Sequence, residues 1–132
     1  MMDSHIHMMK KTDKRMFIEK FREVNLSGGI VLSLPPRTFS PEYDLQFQYR
    51  LKLLLELTEG VEGLIPFFWI DPLEPDAIQQ VDDAVASGVM GFKIISIDDY
   101  PHNPEAIKTY QRISWHRKPI LFHSGILWNN KN

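Results

Sequence analysis

The chain contains no cysteine, which excludes a disulfide framework, a thiolate zinc site, an iron-sulfur cluster and a cysteine nucleophile. Any metal must therefore be held by His, Asp, Glu or a modified Lys, so the five histidines carry extra weight. Charge of one sign is equally scarce. Fifteen Lys and Arg face 17 Asp and Glu, for a net charge of -2, and no long-range field draws the protein to nucleic acid or to an anionic membrane. Long apolar runs are missing too: the stretch 63–70 is interrupted by Pro66 and is far short of the roughly 20 residues a membrane span needs. Met1 and Met2 lead directly into Asp3, Ser4 and His5 without the basic stretch and apolar run of a signal peptide, so a cytoplasmic location is expected. What remains, 132 residues with 43% hydrophobic and 24% charged side chains, is the composition of an ordinary globular domain able to bury a core.

Short apolar runs rich in Ile, Val, Leu and Phe alternate with longer stretches of helix-forming residues, the sequence form of repeated βα units. A first strand over Met2 to His7 leads through Thr12 or Asp13, as a cap, into a helix carrying Met16, Phe17, Phe21 and Val24. Gly28 and Gly29 are expected to end that unit, and a second strand runs from Ile30 to Leu34, stopped by Pro35 and Pro36. The next segment reads two ways. Tyr43, Leu45, Phe47, Tyr49, Leu51, Leu53, Leu55 and Leu57 alternate as a half-buried strand would, yet Tyr43, Phe47, Leu51, Leu54, Leu55 and Thr58 also form a helical stripe. Its length, far above the usual strand of about 5 to 6 residues, and its Gln, Arg, Lys, Leu and Glu content favour a helix ending near Gly60.

A third strand is expected over Leu64 to Ile70. It is followed by a loop at Asp71-Pro72 and a helix with Pro75 near its first turn, Ala77, Ile78, Val81, Ala84 and Val85 on its inner face, and Gly88 at its close. Strand four, Met90 to Ser96, leads through Asp98-Asp99-Tyr100-Pro101 to a helix started by Asn103 and Pro104, with Ala106, Ile107, Tyr110 and Ile113 inward. Strand five is Pro119 to His123, and the residues from Ile126 to Asn132 are too few for another unit. Strands apolar on both faces and separated by helices imply a parallel sheet with right-handed crossovers. A (β/α)8 barrel and an open doubly wound sheet both fit. No Gly-x-Gly-x-x-Gly follows strand one and no Walker-type loop occurs, so no nucleotide site is supported.

The chemistry sits at the strand ends. His5 and His7 are two apart, and side chains at i and i+2 of a strand share a face, which lets two imidazoles converge on one ion. An isolated pair of this kind more often marks two surface histidines. Here His123 lies at the C-terminal end of strand five, the edge where active sites of parallel α/β proteins collect.

Asp3-Ser4-His5-Ile6-His7 resembles the Asp-x-His-x-His opening of metal-dependent amidohydrolases, and Pro119-Ile120-Leu121-Phe122-His123-Ser124-Gly125 resembles their strand-five histidine segment, in matching order and distance. The chain is most similar to the amidohydrolase-related branch of small hydrolases and some decarboxylases, with Gly91-Phe92-Lys93 corresponding to strand four. The resemblance implies a (β/α)8 barrel in which His5, His7 and His123 are metal ligands for a divalent ion, most often zinc. Such an ion lowers the pKa of bound water to roughly 7 and polarises a substrate carbonyl. A strand-six histidine and the catalytic strand-eight aspartate have no counterpart in this sequence.

Gly91, Lys93 and Ile95 share one face of strand four. If Phe92 and Ile94 pack on the helices, Lys93 enters the barrel, either carboxylated and bridging two metals or as a cationic substrate contact; the bland alternative is a covered stem with a solvated amine. Asp71 is read as a turn residue before Pro72, Asp98 and Asp99 as solvated turn residues, and His102, which lies where it could approach substrate, as a structural or exposed loop histidine. His116 suits a helix C-terminus. Trp69, Trp115 and Trp128 are read as core or interface residues.

A complete barrel takes about 250 residues, so the 132 present are expected to form one partial, incomplete (β/α)8 TIM-barrel domain of about five strands and four helices, without strands six to eight. Three readings follow. The first is a truncated metal-dependent hydrolase acting on an amide, ester or ring carbon of a small-molecule substrate. The second is a non-catalytic fragment that binds a divalent metal at most. The third is a TatD- or PHP-like phosphoesterase, which would need additional carboxylate and histidine ligands. Open edges at strands one and five would favour a homo-oligomer that covers them.

Overall fold

In the computed structural model, which describes residues 1–9, 12–40, 45–96 and 101–123, strands and helices alternate. The strands are β1 (Met2–His7), β2 (Gly28–Leu32), β3 (Leu64–Trp69), β4 (Gly91–Ile94) and β5 (Ile120–Phe122). The helices are α1 (Lys14–Glu23), α2 (Phe47–Thr58), α3 (Ala77–Ala86) and α4 (Pro104–Trp115). All neighbouring strands pair in parallel and their spatial order is the chain order. The five-stranded sheet curls through 210°, a half-barrel flanked by the four helices. Of the two architectures open to the sequence, the curl selects the incomplete barrel.

Alternation along the strands separates two faces. Val31, Phe68, Ile70, Phe92 and Ile94 join Leu51, Leu54, Val81, Ala84 and Ile113 in the core between sheet and helices. Leu32, Phe67, Trp69 and Lys93 are also buried but lie on the opposite, concave face. The register rows His7–Leu32–Phe67–Gly91 and Trp69–Lys93–Leu121 run across that face. Gly91 is needed there because a Cβ at this position would stand 2.4 Å from Cζ of Phe67.

Local chemistry sets most boundaries. Asp13 caps α1 by accepting from Met16 N–H at 2.9 Å, and Asn103 caps α4 by accepting from Glu105 N–H at 2.9 Å, with Pro104 in the first turn. Gly88, with φ +104°, closes α3. The stripe of the ambiguous segment is a helix, α2, whose Leu51, Leu54 and Leu57 are buried; Tyr43 lies outside the described residues.

Several expectations are corrected. Gly28 and Gly29 open β2 rather than end the preceding unit, because the strand pairs there with β1 and Gly29 N–H donates to Gly63 O at 2.9 Å. A Cβ on Gly28 would stand 2.6 Å from Gly63 O, so this crossing of backbones tolerates no side chain. Ile78 and Ile107, expected inward, are exposed, as are Met16 and Val24 of the first helical segment. β4 is shorter than expected and leaves Met90 half-exposed. Asp98, Asp99, Trp128 and the stretch after His123 fall outside the described residues.

Candidate metal centre

β1 carries His5 and His7 to the C-terminal edge of the sheet. Its pairing with β2 shifts register between Asp3 and Ile6, where three steps along β1 match two along β2. This bulge re-aims the side chains around it, and Asp3 Oδ1 accepts from His5 N–H across it at 2.9 Å. The two imidazoles converge: His5 Nε2 and His7 Nε2 are 2.8 Å apart, with ring centroids 4.8 Å apart.

Burial, the nearby ammonium of Lys93 and the ring of His123 hold His5 below its usual pKa of 6.5, against a smaller opposing pull from Asp3. His7 is also held below 6.5, by burial first and then by His5, Lys93 and His123. Both rings therefore favour the neutral form, the form that binds a metal once the hydrogen bond between the two Nε2 atoms is exchanged for the ion. Lys93 and His123 thus lie within electrostatic reach of the His5–His7 pair. His123 is exposed, with its N–H bonded to Ile94 O at 3.0 Å. Among the described residues no group of three His, Cys, Asp or Glu is close enough to hold an ion as it stands.

Phe92 and Ile94 pack under the helices, so Lys93 does enter the concave face, where its residue surface is 1% exposed. Desolvation alone lowers its pKa, and no described carboxylate opposes that effect. Asp71 has the expected turn role, accepting from Leu73 N–H at 2.9 Å. His102 is exposed. His116 is the C-cap of α4, and its Nε2 lies 2.7 Å from Asp82 Oδ1, beside the two-point contact of Arg112 with the same carboxylate. It belongs to the α3–α4 contact, away from the strand ends.

Two neighbours of the site were not assigned to it from sequence: Trp69, read as a core or interface residue and indeed buried, and Arg50, which was not singled out. Trp69, at the end of β3, places its ring 5.5 Å from that of His7 and 4.6 Å from that of Phe39. Its position two residues after Phe67 on the inward face was the available signal. Arg50 is enclosed at 1% exposure, donates from Nη1 to Leu34 O at 3.1 Å and Trp69 O at 2.8 Å, and lies over Phe68. Burial pushes its pKa down to about 10. It ties the chain just beyond β2 and at the end of β3 to α2, and its signal was a charge inside a leucine stripe.

No protein-family profile and no curated protein matches the chain. Among solved structures it is similar to a probable 2-pyrone-4,6-dicarboxylic acid hydrolase from Acinetobacter baumannii, crystallised with citric acid bound. The TM-score is 0.61 at 13% identity, over 93% of this chain and 49% of that one. The chain therefore spans about half the length of that enzyme, and the likeness is one of fold. No helix among the described residues is long and apolar enough to cross a membrane.

Proposed function

We propose that the chain carries the metal-binding part of a metal-dependent hydrolase of the amidohydrolase-related type, with His5, His7 and His123 as ligands of one divalent ion, zinc by preference. The convergence of two Nε2 atoms to 2.8 Å at the C-terminal edge carries this reading. Ligand nitrogens about 2.05 Å from a tetrahedral zinc lie roughly 3.3 Å apart, so ring movements of about half an ångström would fit the pair to an ion. The lowered pKa of both rings keeps them in the neutral form near neutral pH.

When bound, the ion supplies a Lewis acid for a carbonyl-type carbon and an acidified water. The chain's own residues hold and orient. Trp69 lies against one side of His7, with the ring centroids 5.5 Å apart, and Arg50 secures the backbone of Trp69. Lys93 offers a cation to an oxyanion or carboxylate of a small-molecule substrate. A carboxylated Lys93 bridging two ions is the less economical assignment, since His5 and His7 form one tight pair.

Zinc titration of metal-free protein tests the ligand set: wild type and His116→Ala are expected to take up about one zinc per chain, whereas His5→Ala and His123→Ala lose it. Equal affinity in all four proteins removes the assignment. A second reading is a chain that binds an ion without turnover, since the sequence offers no counterpart to the catalytic strand-eight aspartate that the resemblance implies. Zinc uptake without hydrolysis of amide, ester or lactone substrates would select it. The phosphoesterase reading gains no further ligands from the described residues.

A further inference from the structure

Beside Trp69, the loops after β2, β3 and β4 line a cavity of about 340 Å3. That is the small end of the range for ligand sites, about 300–1,000 Å3. Pro36, Phe39, Pro72, Leu73, Pro75 and Ile95 supply its apolar wall. The prolines fix the backbone of the two loops that carry them, so the cavity is largely preformed. Among the described residues its charged lining groups are of one sign, with the buried guanidinium of Arg50, which does not line it, acting on Glu74. Asp71 and Glu74 line it, and no Lys, Arg or His does so among the described residues. Asp71 is held by Leu73 N–H and Glu74 by the amide of Gln80, so both carboxylates are fixed in place.

We infer that this cavity receives an apolar group of the substrate, of the size of one ring and bearing no negative charge, while the bond to be broken lies beside Trp69 at His5 and His7. The inference deepens the hydrolase reading and rests on it for what happens next door, but occupancy of the cavity does not require turnover. Two observations carry it. The cavity adjoins the candidate site through one side chain, since the Trp69 ring both lines it and packs with its centroid 5.5 Å from that of His7. The wall also combines apolar contact with two carboxylates, and a carboxylate entering there would meet like charge in a partly desolvated space. The selectivity thus differs from that implied by the description of the structurally similar protein, a probable 2-pyrone-4,6-dicarboxylic acid hydrolase.

A matched pair of probes tests it. Benzamide and benzoate share a ring and differ in charge, and methyl NMR of Leu73 and Ile95 reports entry into the cavity. Benzamide is expected to shift both methyl groups with millimolar affinity, and benzoate to bind at least about tenfold more weakly. Leu73 is 40% exposed in a loop, so Leu73→Arg leaves the core intact, and by placing a cation on the wall it is expected to reverse the preference. Equal or tighter binding of benzoate to the wild type, unmoved methyl groups, or an unchanged preference in Leu73→Arg would overturn the inference. His5→Ala separates the two readings: it is expected to lose zinc while binding benzamide as before. Zinc-independent turnover in that variant would sink the metal reading and leave the cavity assignment standing.

Discussion

Replacing Lys93 by Met removes one charge and keeps most of the side-chain volume. The residue is 1% exposed on the concave face, and desolvation is the whole cause of its lowered pKa. A fully sealed ion carries a penalty of several kcal/mol. Here the exposed rings of His5 and His7 stand beside it and mark how close water comes. The penalty is therefore discounted to about 1–2 kcal/mol, and Lys93→Met is expected to be more stable by that amount, a rise in Tm of about 4–8 °C for a chain of this size. The sign of the pH dependence follows. Between its lowered folded pKa and the unfolded value of 10.5, the unfolded chain binds the proton that the folded chain has lost, so wild-type stability rises with pH across that window. The Met variant lacks this slope. Lys93 also presses the pKa of both histidines down, so both are expected to titrate at higher pH in the metal-free variant. Thermal melts at pH 7 and 10 and a histidine NMR titration measure all three effects. A variant less stable than wild type, or histidines that titrate unchanged, would refute the description of Lys93 as an uncompensated cation.

The lowered pKa of His5 and His7 has its own signature in metal-free protein. Below 6.5 the unfolded chain protonates these rings more readily than the folded one, so stability is expected to rise with pH up to about that value and then level off; urea midpoints at pH 5 and 7.5 check it, and a flat profile contradicts it. Gly91→Ala drives a methyl group into the ring of Phe67, 2.4 Å away, and is expected to cost about 1–3 kcal/mol, recovered in part by adding Phe67→Leu. Phe92→Ala empties a site of 0% exposure and is expected to cost about 3–5 kcal/mol by denaturant titration, with little effect on zinc uptake.

The fold was largely legible because each unit carries its own punctuation. Asp13, Asn103-Pro104 and Gly88 mark helix ends by chemistry that acts within a few residues. The misread glycines show the limit. Gly28 and Gly29 look like a stop, and only the approach of Gly63 O and the backbone of Asp3, far away in sequence, makes them the start of a strand. Ile78 and Ile107 fit helical stripes but sit at their margins, where the curvature of a half-barrel, invisible to periodicity, decides what is covered. At the site, the His5–His7 pair follows from i, i+2 spacing, yet the bulge that adjusts it depends on pairing with β2. The contacts of Trp69 and the burial of Arg50 are long-range facts that no local pattern encodes.

The identity of spatial and chain order in the sheet has a consequence for how the molecule is made. Each strand pairs with the strand before it, so a chain emerging from the ribosome always finds its docking partner already synthesised and never waits for a distant segment. Loop closure is limited to one helical crossover at a time, which keeps the entropic barrier of each step low. Among the described strands, assembly can thus proceed as stepwise growth in chain order, each strand docking on its predecessor. The histidine pair of β1 is then in place before the described strand ends of β2 to β5 are added beside it.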